Sequence, residues 1–157
     1  MTFAGKPISR RMLLQLAGLG FCAYIIPPGC KQNRVRSTDP QNVLNDLKEN
    51  RTIGMLRSGQ IIFMHKSVEG LSPRGKEAFA IIQRGLIALQ LMPPIQEHEY
   101  GVYGDKTAKG INHLQDLAEM DRVQGWDGRK FDAETLNVLE AALQHKIDGR
   151  WVPPKDF

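Results

Sequence analysis

The sequence predicts a mainly α protein: a small three-helix orthogonal bundle, preceded by a short N-terminal helix and by a stretch compatible with a β-hairpin. Two observations carry the bundle. Apolar residues recur at spacings of three and four through segments 73–92, 105–120 and 133–147, the period of helices that bury one face. The last two of these segments also begin at a turn that the chain spells twice, first as Tyr100-Gly101-Val102-Tyr103-Gly104-Asp105-Lys106-Thr107 and then as Asp127-Gly128-Arg129-Lys130-Phe131-Asp132-Ala133-Glu134-Thr135. In each copy a Gly-containing turn sets an aromatic ring (Tyr103, Phe131) just before a capping position (Gly104, Asp132), and a Thr follows at the third helical position. The second copy carries one extra residue in its turn. The aromatic ring can pack back on Ala108 or Leu136, one turn into the helix, and so fix the angle at which the chain enters.

The elements follow in order. Asp39-Pro40 reads as a cap followed by proline at the first helical position, and Val43, Leu44 and Leu47 make a short stripe, so a brief helix runs to about Glu49. From Ile53 to Met64, β-branched and apolar residues around Arg57-Ser58-Gly59 are compatible with a two-stranded hairpin. Ser72-Pro73 repeats the cap-then-proline start, and Phe79, Ile82, Leu86 and Leu89 predict an amphipathic helix that ends before Pro93-Pro94. The next helix spans about Asp105 to Met120 with Ala108, Ile111, Leu114 and Ala118 inward, and Gly110 inside it marks a close approach. The last spans about Ala133 to Ile147, burying Leu136, Leu139, Leu143 and Ile147, and Gly149 closes it. Trp151 lies in an extended tail and is expected to cover an edge of the bundle.

The first thirty residues have a different character. Lys6, Arg10 and Arg11 precede an apolar run from Met12 to Ile26 that only Gln15, Gly18 and Gly20 interrupt. Fifteen helical residues reach roughly 22 Å, short of the ~30 Å hydrocarbon core, so an export signal is favoured over a spanning helix. Ser9-Arg10-Arg11-Met12-Leu13-Leu14 resembles the twin-arginine export signal, and Cys30 after Gly29 stands where a bacterial lipoprotein is acylated, although Pro27 and Pro28 replace the usual lipobox residues. Residues 31–40 then read as a polar tether with Lys31, Arg34 and Arg36, residues 41–72 as an N-terminal extension, 73–148 as the helical domain and 149–157 as the tail.

The formal charge of +4 is misleading about partners. Three positive charges lie before Gly29, where there is no acid; the rest of the chain is nearly balanced and makes no electrostatic case for nucleic acid. Cys22 and Cys30 are the two cysteines of the chain, so the folded part has neither a disulfide nor thiol chemistry.

Several of these features recur together in one known pattern. Ile82-Gln83, Leu86 and Leu89 form an apolar-Gln helix; the turn at residues 100–107 follows it; Leu114-Gln115 repeats the apolar-Gln pair; and Asp127-Gly128 with Thr135-Leu136 closes the set. From about Ala78 to Leu143 this order and spacing resemble the bacterial peptidoglycan-binding domain of the three-helix type, often found beside cell-wall hydrolases. The chain departs from that family at Tyr100, which replaces an Asp, at Gln90-Leu91, which replaces Gly-aromatic, at Leu114, which replaces an aromatic residue, and in the proline-containing loop 92–99. The resemblance implies a small helical fold that contacts the glycan or stem peptide of the wall without cleaving it.

Individual residues divide into builders and candidates. Gly101, Gly104, Thr107, Asp127, Gly128 and Thr135 are accounted for by turn and cap geometry. Gln83 and Gln115 are either amides bonded to a loop carbonyl or contacts for a polar wall component. Tyr100, Gln115, Trp126 and Arg129 are the candidate ligand-binding residues, because aromatic faces with a few convergent polar groups suit sugars and peptides. His65, His98, His113 and His145 show no metal-ligand spacing, the Glu97-His98-Glu99 run reads as a solvated loop, and Ser58, Ser67 and Ser72 lack a nucleophile elbow. No metal, cofactor or catalytic set is therefore expected. The expectation is an exported, non-catalytic peptidoglycan-binding protein of the bacterial periplasm or envelope, tethered to a membrane through its N-terminus. A periplasmic adaptor that docks a protein partner is the second reading, and a cell-wall hydrolase is a disfavoured third.

Overall fold

The computed structural model describes residues 36–65, 72–120 and 130–154. Residues 1–35, on which the expected export signal with Arg10, Arg11 and Cys30 falls, lie outside the described residues, as do Trp126 and Arg129. Among the described residues the chain is mainly α, with one two-stranded antiparallel sheet, and no helix is long and apolar enough to cross a membrane.

Helix starts are set by local side chains. Asp39 Oδ1 accepts from the Asn42 amide at 3.0 Å and opens α1 (Pro40–Glu49), with Pro40 at its first position. Asn50 ends α1 and at once caps α2 (Arg51–Arg57) by accepting from the Ile53 amide at 3.1 Å. This corrects the hairpin expected over Ile53–Met64. Ile53 and Leu56 lie on one helical face and are both fully buried, which a strand pairing across Arg57-Ser58-Gly59 would not allow. Only β1 (Phe63–Met64) is extended, and it pairs with β2 (Lys130–Phe131), with Phe63 opposite Phe131.

Helix α3 (Pro73–Ala88) is the centre. It packs against α1, α2, α4 (Asp105–Leu117) and α5 (Ala133–Ile147), and Ala78, Phe79, Ile81, Ile82 and Leu86 bury it nearly all round. The segment read as an extension belongs to the same core: Val43, Leu47, Ile53 and Leu56 share one cluster with Phe79, Leu86, Ile111, Leu114, Leu136, Leu139 and Leu143. Two arginines, one buried and one half-buried, bolt the layers together. Arg84 reaches the Asp46 carboxylate on α1 and the Ser37 carbonyl, and Arg57 reaches Glu140 on α5. Gly110 makes the expected close approach, since a Cβ there would meet the Leu91 carbonyl at 2.9 Å.

Two inward assignments are corrected. Helix α4 stops at Leu117, which leaves Ala118 exposed, and Ile147 at the end of α5 is 37% exposed. Both follow from how the helices end. After α2, α3, α4 and α5 the chain turns through a left-handed residue, Gly59, Gln90, Glu119 and Gly149 respectively. Each time the second amide beyond the cap bonds five residues back, as in Leu91 N to Leu86 O at 2.8 Å and Arg150 N to His145 O at 2.8 Å, the Schellman closure. Residues 118 and 147 thus stand at the ends of their helices, beside the turns that lead away from the core. Beyond α5 the chain brings Trp151 back, where the indole donates to the Leu89 carbonyl at 3.0 Å and satisfies an orphan acceptor at the end of α3.

Gln90 and Glu119 hold this left-handed position with φ of 59° and 52°, where a side chain is unfavourable. Gln90→Gly and Glu119→Gly should each raise stability, by up to about 1 kcal/mol, because relief of the left-handed strain exceeds the added entropy of the unfolded chain. Urea unfolding midpoints check this.

Candidate functional site

The doubled turn becomes, in three dimensions, a doubled clasp. Gln83 on α3 is fully buried, and its amide nitrogen lies 2.8 Å from the Val102 carbonyl, 3.2 Å from the Glu99 carbonyl and 3.0 Å from Thr107 Oγ1. Its Oε1 accepts from the Gly101 amide at 2.7 Å. One side chain thus satisfies the inner polar groups of the whole turn that leads into α4. Gln115 on α4 does the same for the next turn: its nitrogen donates to the Lys130 carbonyl and to Thr135 Oγ1, each at 3.1 Å. Among the described residues, two of the bonds correspond position for position. Val102 and Lys130 both precede the buried aromatic, and Thr107 and Thr135 both stand at the third helical position. Of the alternatives open for these amides, the geometry realises the bond to a loop carbonyl.

Local chemistry completes each turn. Gly101 has φ 79°, and a Cβ on it would lie 2.8 Å from the Lys76 carbonyl, so this position needs glycine on two counts. Gly104 leaves the start of α4 without a side-chain cap, whereas Asp132 Oδ1 accepts from both the Thr135 amide, at 3.0 Å, and its hydroxyl, at 2.9 Å. Burial works to raise the Asp132 carboxyl, but hydrogen bonds from Lys130 and from the Thr135 amide and hydroxyl outweigh it and hold the group below its ordinary value. Tyr103 is core, stacked on Phe79 at 4.7 Å, and burial pushes its hydroxyl well above the ordinary tyrosine value.

What the clasp presents outward is Tyr100. Its ring is half-buried, and the Arg36 guanidinium lies 4.6 Å from its centroid while also pairing with Glu97 at 3.2 Å. Arg36 was expected to be part of a tether; the structure seats it on the aromatic platform. Polar groups surround the platform. Glu99 takes Lys106 at 2.8 Å, and that bond, with one from the Gln96 amide, holds its carboxyl below the ordinary value. Nearby, the largely buried His65 stands edge-on to Tyr103 and reaches Asp105 at 3.3 Å. An aromatic ring capped by a guanidinium and neighboured by carboxylates can meet a sugar or peptide group with the part of the ring left exposed and hydrogen-bond it through those polar groups. Of the four ligand candidates, Tyr100 is at the surface, Gln115 spends its amide nitrogen internally, and Trp126 and Arg129 lie outside the described residues. Among the described residues no group of three His, Cys, Asp or Glu side chains is placed to hold a metal.

Sequence reasoning missed Arg36 over Tyr100 and the His65–Asp105 pair, because neither has a local signal: each joins segments far apart in the chain. Comparisons with protein-family models, with curated proteins and with solved structures found no match for this chain.

Truncating Gln83 strands the Gly101 amide and two carbonyls, so Gln83→Ala should cost about 3 kcal/mol or more, and Gln115→Ala, which loses fewer bonds, clearly less. Denaturant titration of the two variants checks the order. The depressed carboxyls set a pH dependence. Their stabilisation is complete above the ordinary values of 3.8 for Asp132 and 4.5 for Glu99, and is lost as the pH falls through the lower folded values. Asp132→Asn keeps the cap but removes the titration, so its unfolding midpoint should vary less with pH on the acid side than that of the parent chain.

Proposed function

We propose that the chain is an exported, envelope-tethered, non-catalytic protein that binds peptidoglycan, through its glycan or stem peptide, and so positions itself or a partner at the bacterial cell wall. The observation that supports this reading is the doubled clasp. The residues that carry the resemblance to the peptidoglycan-binding domain, Gln83 with Thr107 and Gln115 with Thr135, form equivalent bonds in both copies. The pattern repeated in the sequence is therefore repeated in the bonds, and the first of its turns carries Tyr100.

The mechanism is positional. The N-terminal segment supplies one attachment, with Arg10 and Arg11 directing export and Cys30 as the residue for acylation. Tyr100 and its polar surround supply a second, weak one. Linking two weak contacts makes the second effectively intramolecular, so modest wall affinity suffices. The adaptor reading draws on a different observation, the exposed apolar side chains Met55 and Ile62 outside the clasp region.

Mixing a fragment of residues 31–157 with isolated sacculi and centrifuging separates the readings. The fragment should pellet with sacculi, and Tyr100→Ala should reduce pelleting about ten-fold without lowering the unfolding midpoint. Recovery of the folded fragment only in the supernatant, together with a defined protein that co-purifies, would replace wall binding by the adaptor role.

A further inference from the structure

A cleft opens where α2, β1 and the start of α3 meet, and its walls come entirely from residues 50–77. It therefore lies outside the span that resembles the peptidoglycan-binding domain, and neither clasp uses it. Its volume of about 740 Å³ is in the range of small-ligand sites, roughly 300–1,000 Å³. The base is apolar, with Phe63 almost fully buried, and Met55 and Ile62 line the cleft at 39% and 49% exposure.

The charges around it are distinctive. Among the described residues, Arg36, Arg57, Arg84 and Arg150 each engage a carboxylate. The two arginines that do not, Arg51 at the start of α2 and Arg74 at the start of α3, both line this cleft and are both exposed. Two guanidiniums from separate helices beside one apolar floor match a bound anion with an apolar neighbour. Glu77 on the same wall disfavours a dianion such as a phosphate and can accept from an N–H. A carboxylate next to an apolar side chain on a peptide backbone meets all three conditions.

We infer that this cleft is a binding site for a short peptide bearing a carboxylate beside an apolar side chain. Arg51 and Arg74 hold the carboxylate, Met55 and Ile62 cover the apolar group, and Glu77 takes a backbone or amino N–H. The site stands independently of the wall reading, since its residues and those of the Tyr100 platform are separate sets. The same chemistry is offered by the D-terminated stem peptides of a wall and by the L-terminated end of a protein.

The test is calorimetric titration of the full chain, held in an uncharged detergent, with N-acetyl-Ala-Ala-Leu as the free acid, with its C-terminal amide and with the free acid ending in D-Leu. A free acid should bind saturably in the millimolar range or tighter. The matching amide should bind about ten-fold more weakly, and the Arg51→Gln/Arg74→Gln double variant should lose a similar factor. Both side chains are exposed, so the thermal unfolding of the variant should match that of the parent chain. Preference for the D-terminated acid identifies stem peptides as the source, and preference for the L-terminated acid a protein terminus. Equal binding of acid and amide, undiminished binding by the double variant, or no saturable binding of either acid at millimolar concentration overturns the inference.

Discussion

The fold turns on one buried amide. Gln83 sits in the middle of the central helix, where a polar side chain is costly unless every group it carries is bonded. Here its bonds reach the Glu99 and Val102 carbonyls, the Thr107 hydroxyl and the Gly101 amide, all of which would otherwise be backbone or hydroxyl groups facing an apolar core. Each such group left unpaired costs about 1–3 kcal/mol against a total stability of about 5–15 kcal/mol. The clasp therefore decides whether residues 99–107 can lie against α3 at all. Only with that turn in place does Tyr103 reach Phe79, Asp105 meet His65 and α4 leave at the angle that brings Gly110 onto the Leu91 carbonyl.

The second clasp uses the far end of the helix that the first one launches. Thr107 receives from Gln83 at the start of α4, and Gln115 donates from its last turns to the start of α5. The two units share α4, so the repeat is a chain of dependencies. The arginine bridges run across this direction. Arg84 to Asp46 and Arg57 to Glu140 tie α1 and α2 to α3 and α5, which lets a part with no counterpart in the repeated unit join the same core. Partly buried pairs of this kind add register more than net stability, since desolvation offsets part of their attraction.

Much of this was legible where the determinants are local. Asp39, Ser72 and Asp132 mark three helix starts because an N-cap acts on amides two or three residues ahead. Gly149 marked an end for the same reason, and Gly110 marked a close contact. Helix α2 was not legible: Ile53, Ile61 and Ile62 pull toward strand, and the cap at Asn50 is hidden because the same residue closes α1. The ends at Gln90 and Glu119 were obscured because they lack the glycine that usually announces a left-handed residue. At the candidate site, Tyr100 stood out as an aromatic residue in a turn. The partner of Gln115, the cover that Arg36 gives Tyr100 and the cleft beside Arg51 and Arg74 are tertiary facts, fixed by how distant segments meet.

The small sheet has a consequence for the order in which the molecule forms. Phe63 pairs with Phe131, and both rings are buried in the common core. The N-terminal helices, α3 and the entry to α5 meet at this pair, so the core cannot close until the last third of the chain is present. Helices α1 and α2 can form early from local contacts but must wait, part of their apolar faces uncovered, for a partner far along the chain. Such long-range closure slows folding relative to a bundle built from neighbours. During synthesis this chain is in effect completed from its C-terminal side, and the nascent intermediate is the state in which its apolar surface is most exposed to other molecules.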